Sequence, residues 1–165
     1  MSILVKKMES DAEIKGKAFV HWKAWQEAYP GIVPQSYLDK FTLEKREATA
    51  YQWLDNVLIA KDGERVVGFI GYGKYRNDEL PKTGEVYAIY VLSQYWGQGV
   101  GSQLMREALN RLRDFPQTAV WGLKENHRAI RFYERFGYRF DGREEMLMLD
   151  APVTEARMIL KRSYT

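Results

Sequence analysis

The stretch Glu85-Val86-Tyr87-Ala88-Ile89-Tyr90-Val91-Leu92-Ser93-Gln94-Tyr95-Trp96-Gly97-Gln98-Gly99-Val100-Gly101 decides how this chain folds. From Glu85 to Leu92 it is nearly continuous in apolar and aromatic residues, the pattern of a central strand covered on both faces. A glycine-rich turn follows, and Val100, Leu104, Ala108, Leu109 and Leu112 then recur at the spacing of one helix face. Strand, Gly-x-Gly-x-Gly loop and helix in that order make an anion site for a physical reason. Glycine lets the main chain turn tightly and approach a phosphate, and the first free amides of the helix point at it with the positive end of the dipole. Taken alone, the loop reads equally well as a plain connection. Counting excludes two nucleotide motifs: the third glycine comes one residue too early for Gly-x-Gly-x-x-Gly, and no Gly-Lys-Ser/Thr is present for a P-loop.

Upstream, Val57-Leu58-Ile59-Ala60 and the run Val66 to Tyr72 flank a turn at Asp62-Gly63 and read as a β-hairpin. Before it come a short strand at Ile3-Leu4-Val5 and a helix announced by Ser10 and Glu13 as a capping box. That helix carries Ile14, Ala18, Trp22, Trp25 and Tyr29 and stops near Pro30-Gly31. A second helical stretch holds Tyr37, Leu38 and Phe41, and a third runs from Thr42 to Trp53-Leu54. Downstream, Phe115-Pro116 closes the helix after the glycine loop, and a strand covers Thr118 to Leu123. A helix then runs from Asn126 as N-cap to Phe136, with Gly137 at its stop. Tyr138-Arg139-Phe140 and Ala156 to Arg162 read as two closing strands with a loop between them.

With 165 residues and no linker or repeat, the chain reads as one α/β domain over 1–165. The absence of cysteine excludes disulfide scaffolds, thiolate nucleophiles and Cys-ligated metals, and two histidines argue against a His-based metal site, so no metal is expected. No apolar run is long enough to span a bilayer, and Lys6-Lys7 arrive too early for a secretory signal, so the chain is read as cytoplasmic. The net charge of +3 comes from scattered Lys and Arg, whereas a nucleic-acid binder concentrates them.

Residues 91–104 resemble the acetyl-CoA pyrophosphate motif of the GNAT N-acetyltransferase superfamily, Arg/Gln-x-x-Gly-x-Gly/Ala after a hydrophobic strand. Trp96 departs from it, standing where the family usually has Arg or Gln. The stretch from Asn126 to Tyr138 is similar to the family's later motif, an Asn followed by a helix ending in Phe-Tyr-x-x-x-Gly-Phe/Tyr. Trp25, Tyr29, Gly31, Ile32 and Pro34 resemble a subgroup that includes enzymes acting on polyamines and other small amines. The resemblance implies a mostly antiparallel sheet of six to seven strands, splayed between two central strands and flanked by about four helices. It also implies direct transfer of an acetyl group from acetyl-CoA to a primary amine, and a homodimer. The alternatives are a peptide N-terminal or lysine acetyltransferase and a non-catalytic acyl-CoA sensor.

The same resemblance implies roles for particular residues. The backbone of Ile89, Tyr90 and Val91 would pair with the pantetheine arm, and the loop Trp96, Gly97, Gln98, Gly99, Val100, Gly101 and Ser102 would hold the pyrophosphate. Asn126, besides capping its helix, would touch the cofactor, and Tyr133 stands at the general-acid position. Glu85, at the head of the central strand, is the first choice for the base that must deprotonate the acceptor amine. Tyr29, Tyr37 and Tyr87 are candidates for the acceptor walls, while Trp22 and Trp25 are read as core. Strand alternation puts Tyr87 and Tyr90 on opposite faces, one toward the cleft. His21 and His127 are read as surface or interface residues.

Overall fold

The computed structural model describes residues 2–162. β1 (Ile3–Lys6) leads into α1 (Asp11–Ala28), whose N-cap Ser10 accepts from the Glu13 amide. Glu13 completes no reciprocal bond to Ser10. Its carboxylate instead takes the Glu9 amide and the ammonium groups of Lys6 and Lys61, tying the start of α1 to the sheet. α2 (Gln35–Lys40) and α3 (Leu43–Ala50) follow, with Thr42 capping α3. α3 ends three residues short of Trp53, because that indole turns into the core and fills the space over Gly71, where a Cβ would lie 2.0 Å from it.

β2 (Val57–Asp62) and β3 (Arg65–Lys74) form the expected hairpin, and β4 (Thr83–Val91) is the central strand. α4 (Val100–Arg111) connects β4 to β5 (Gln117–Leu123), and α5 (His127–Phe136) precedes β6 (Arg139–Met148) and β7 (Pro152–Lys161). Among the described residues, seven strands form one sheet in the order β1-β2-β3-β4-β5-β7-β6. Of their pairings only β4–β5 is parallel, as a helical crossover requires. Five α-helices among the described residues accompany the sheet, against about four expected.

Phe69 lies against Lys17 of α1, whereas the adjacent Gly68 faces Leu104 of α4. Successive strand residues alternate, so the two helices cover opposite faces of the sheet. Two expectations change. The loop expected between the last strands is mostly strand: β6 and β7 pair from Arg139↔Ile159 to Met148↔Pro152 across a bulge between Phe140 and Glu144. β6 is the exposed edge of the sheet, so its charged residues answer to solvent and carry no buried periodicity. His21 is part-buried rather than free at the surface. It stacks on Tyr90 and meets the edges of Phe41 and Phe69, and burial pushes its pKa down to about 3, with the Lys17 and Arg46 charges adding to the shift. His127, in contrast, is exposed. No helix among the described residues is long and apolar enough to cross a membrane.

Candidate active site

β4 and β5 stay in register from Thr83↔Gln117 to Val86↔Val120 and no further. At that level the pairing of β3 with β4 skips a residue: Gly71 faces Ala88 while Tyr72 faces Val86, which leaves Tyr87 as a bulge. A bulge bends its strand. β4 therefore turns away from β5, and the facing edges of residues 87–91 and 121–123 have no strand partner among the described residues. A cavity of about 250 Å³ opens in this fork. The bulge is braced by the Tyr87 hydroxyl, which donates to the Lys74 carbonyl and lies 2.7 Å from where a Cβ of Gly73 would be. The upper half of β4 is consequently only part-covered, unlike the fully covered strand its apolar sequence suggests.

One end of the fork meets the glycine loop. Gly97 and Gly99 adopt φ of 74° and 83°, a region that glycine enters without strain. Gly99 caps α4, and none of the amides from Gly97 to Ser102 donates to a backbone carbonyl among the described residues. These donors sit at the positive end of a twelve-residue helix, an arrangement suited to a phosphate. Trp96 is fixed by its indole N–H, which donates to Val91 O at 2.8 Å. Glu27 of α1 accepts from both the amide and the hydroxyl of Ser93, anchoring the start of the loop to the helix beneath it.

Of the residues expected at the site, Ile89, Tyr90, Val91, Trp96, Gly101, Asn126 and Tyr133 line the cavity. Gly97, Gln98 and Gly99 form the adjoining loop, Ser102 lies in the first turn of α4, and Val100 is buried in the core beneath the loop. Asn126 caps α5 by accepting from the Ala129 amide. Tyr133 is buried, its hydroxyl has no hydrogen-bond partner among the described residues, and burial raises its pKa so that the phenol stays protonated. Tyr29 and Tyr87 also line the cavity, but Tyr37 packs beside Leu38 and Trp25 without reaching it. Tyr87 and Tyr90 do not divide between cleft and core: both line the cavity, because the bulge breaks the alternation between them.

Glu85 is placed differently from the expectation of a free base. It is fully buried, does not line the cavity, and is held by Arg76 through Nε, Nη2 and the backbone amide. Arg76 itself lines the cavity, so Glu85 is linked to it through that guanidinium.

The lining residues that the sequence did not single out as site residues include the polar or charged Arg76, Trp121, Arg128 and Glu155. Glu155 is the one carboxylate among the described residues that line the cavity. It is half-buried on β7, opposite Leu123 of β5, and forms no ion pair or side-chain hydrogen bond among the described residues. Burial raises its pKa; Arg76 opposes the shift, and Glu145 and Glu85 add to it. A signal existed in the sequence: Glu155 and Arg157, two residues apart and so on one face, place charge inside the mostly apolar run from Val153 to Leu160. Trp25, read as core, belongs to both places, stacking on Phe41 at 4.2 Å and lining the cavity.

The arrangement combines a fork in the sheet, a set of free amides, a protonated phenol and a half-buried carboxylate. The model of the Acetyltransferase (GNAT) family matches residues 20–138. The chain is 31% identical to the uncharacterized N-acetyltransferase YuaI of Bacillus subtilis, over 75% of this chain and 73% of that one. It is 27% identical to the spermine/spermidine N(1)-acetyltransferase of the same species, over 65% and 74%. The crystal structure of a PaiA N-acetyltransferase from Thermoplasma acidophilum in complex with coenzyme A superposes with a TM-score of 0.75 at 19% identity, covering 98% of this chain and 100% of that one. The chain belongs to the GNAT family of acetyltransferases.

Proposed function

We propose that this enzyme transfers the acetyl group of acetyl-CoA to a primary amine of a small, polyamine-like molecule. The observation that carries the reading is the fork between β4 and β5, which ends in the free amides of residues 97–102. Two unpaired strand edges fit the amide-bearing pantetheine arm, and the loop and the N-terminus of α4 fit its diphosphate. The coenzyme A in the Thermoplasma relative and the spermine and spermidine named for the Bacillus relative support the same assignment. When bound, acetyl-CoA supplies a thioester that an amine can attack.

The chain's own residues then divide the work. Glu155, held above the usual carboxylate range, takes a proton from the acceptor ammonium and leaves a nucleophilic amine. The strand amide near Ile89 polarises the acyl oxygen, where negative charge grows during attack. Tyr133 donates from its hydroxyl to the departing sulfur. Trp25, Tyr29 and Tyr87 wall the acceptor side. A cationic acceptor suits the rim as well as the floor: Glu145 faces Glu155 across β6 and β7, so two carboxylates stand side by side there.

The test is CoA release, followed with a thiol-reactive reporter, using acetyl-CoA and a panel of polyamines, amino acids, aminoglycosides and short peptides. The cysteine-free chain adds no thiol background. Release driven by polyamines is expected; release driven by peptides alone would transfer the acceptor assignment to them, and none with any amine would remove the enzyme reading.

A further inference from the structure

Trp96 brings no charge to the glycine loop, and from Val86 to Met105 the sequence contains no charged side chain at all. A dianionic group seated there would meet backbone amides but no cation from the loop itself. Among the described residues, two cationic side chains line the cavity, Arg76 and Arg128. Arg76 is committed to Glu85. Arg128 is not committed to any acid: it takes part in no ion pair and no side-chain hydrogen bond among the described residues.

Its position is nonetheless defined. The Arg128 guanidinium lies 3.6 Å from the centroid of the Trp96 ring, and that ring is fixed by its bond to Val91 O. Arg128 is in the first turn of α5, whose N-cap is Asn126, so its charge adds to the positive end of a second helix facing the loop. A guanidinium resting on an indole keeps its N–H edge free, which is the edge that binds phosphate in a fork.

We propose that Arg128, steadied by Trp96, is the side chain that binds the diphosphate of the acyl-CoA. The contact that an Arg or Gln at position 96 would make from the loop is made here from the opposite wall. The proposal rests on the acetyl-CoA reading above and assigns a residue within it.

Titration calorimetry of the wild-type, Arg128→Gln and Trp96→Leu proteins with CoA, dephospho-CoA and pantetheine tests this. Arg128→Gln is expected to weaken CoA and dephospho-CoA about tenfold, the scale of one charge-assisted hydrogen bond. Pantetheine, which has no phosphate, should bind both proteins alike. Trp96→Leu should weaken CoA in the same direction, and high salt should narrow the gap between wild type and Arg128→Gln. Unchanged CoA binding in Arg128→Gln overturns the proposal and leaves the acetyl-CoA reading standing. A loss for CoA but not for dephospho-CoA overturns the diphosphate assignment in favour of the 3′-phosphate, and an equal loss for pantetheine overturns it in favour of a packing role. Failure of the wild type to bind CoA removes the acetyl-CoA reading itself.

Discussion

Arg76 holds Glu85 from three directions: its Nε donates to both carboxylate oxygens at 3.2 and 3.1 Å, its Nη2 donates to Oε2, and its backbone amide donates to Oε1 at 3.1 Å. A carboxylate so engaged is a structural anchor. Glu85→Gln should therefore cost about 1.5–3 kcal/mol of stability, the range for bonds to a charged group. Urea unfolding measures that loss, while the pH dependence of kcat/KM should keep its wild-type shape.

Glu155→Gln should show the opposite pattern. Loss of the proposed general base should lower kcat by about 10²-fold or more. The wild-type rate should rise with pH as Glu155 ionises, with the rise moved upward by the burial that raises its pKa; the Gln variant should lack it. Stability follows from the same shift. The folded carboxyl keeps its proton to higher pH than the unfolded one, so its contribution falls as pH climbs through the window between the two values. At neutral pH the variant should be as stable as wild type or more so, which thermal melts would read.

Tyr133→Phe removes a hydroxyl with no hydrogen-bond partner among the described residues and keeps the ring that packs against Phe132 and Tyr138. Thermal stability and CoA affinity should change little. The expected effect is a fall in kcat of roughly ten- to a hundredfold, the scale of positioned proton transfer. Steady-state kinetics with acetyl-CoA varied would show kcat falling while KM holds.

His21 sets an acid limit on the fold. Its folded pKa, pushed down to about 3 by burial, means that the native state binds fewer protons than the unfolded chain below neutrality. Stability should therefore fall as pH drops from the ordinary histidine value toward 3. His21→Phe, which preserves an aromatic ring against Tyr90 and Phe69, should flatten part of that slope in urea titrations run at several pH values.

What could be read from the sequence follows from how local each signal is. β4, the glycine loop and α4 are contiguous, as are Asn126 and the helix it caps, so strand pattern, turn chemistry and capping specify them directly. The bulge at Tyr87 depends on register with β3, which alternation along one strand does not contain. Glu85 looked free for the same reason: Arg76 lies nine residues away, in the segment that links β3 to β4. Glu155 reaches the cavity only because β7 inserts between β5 and β6, a strand order that local sequence does not specify.

Transfer of an acetyl group to an amine nitrogen is tested most directly by mass spectrometry of the acceptor after incubation with isotopically labelled acetyl-CoA. Spermidine or spermine carrying one labelled acetyl group on nitrogen is expected, formed by the wild-type enzyme and strongly reduced in Glu155→Gln. An unlabelled acceptor in the presence of an enzyme that binds acetyl-CoA tightly would contradict it.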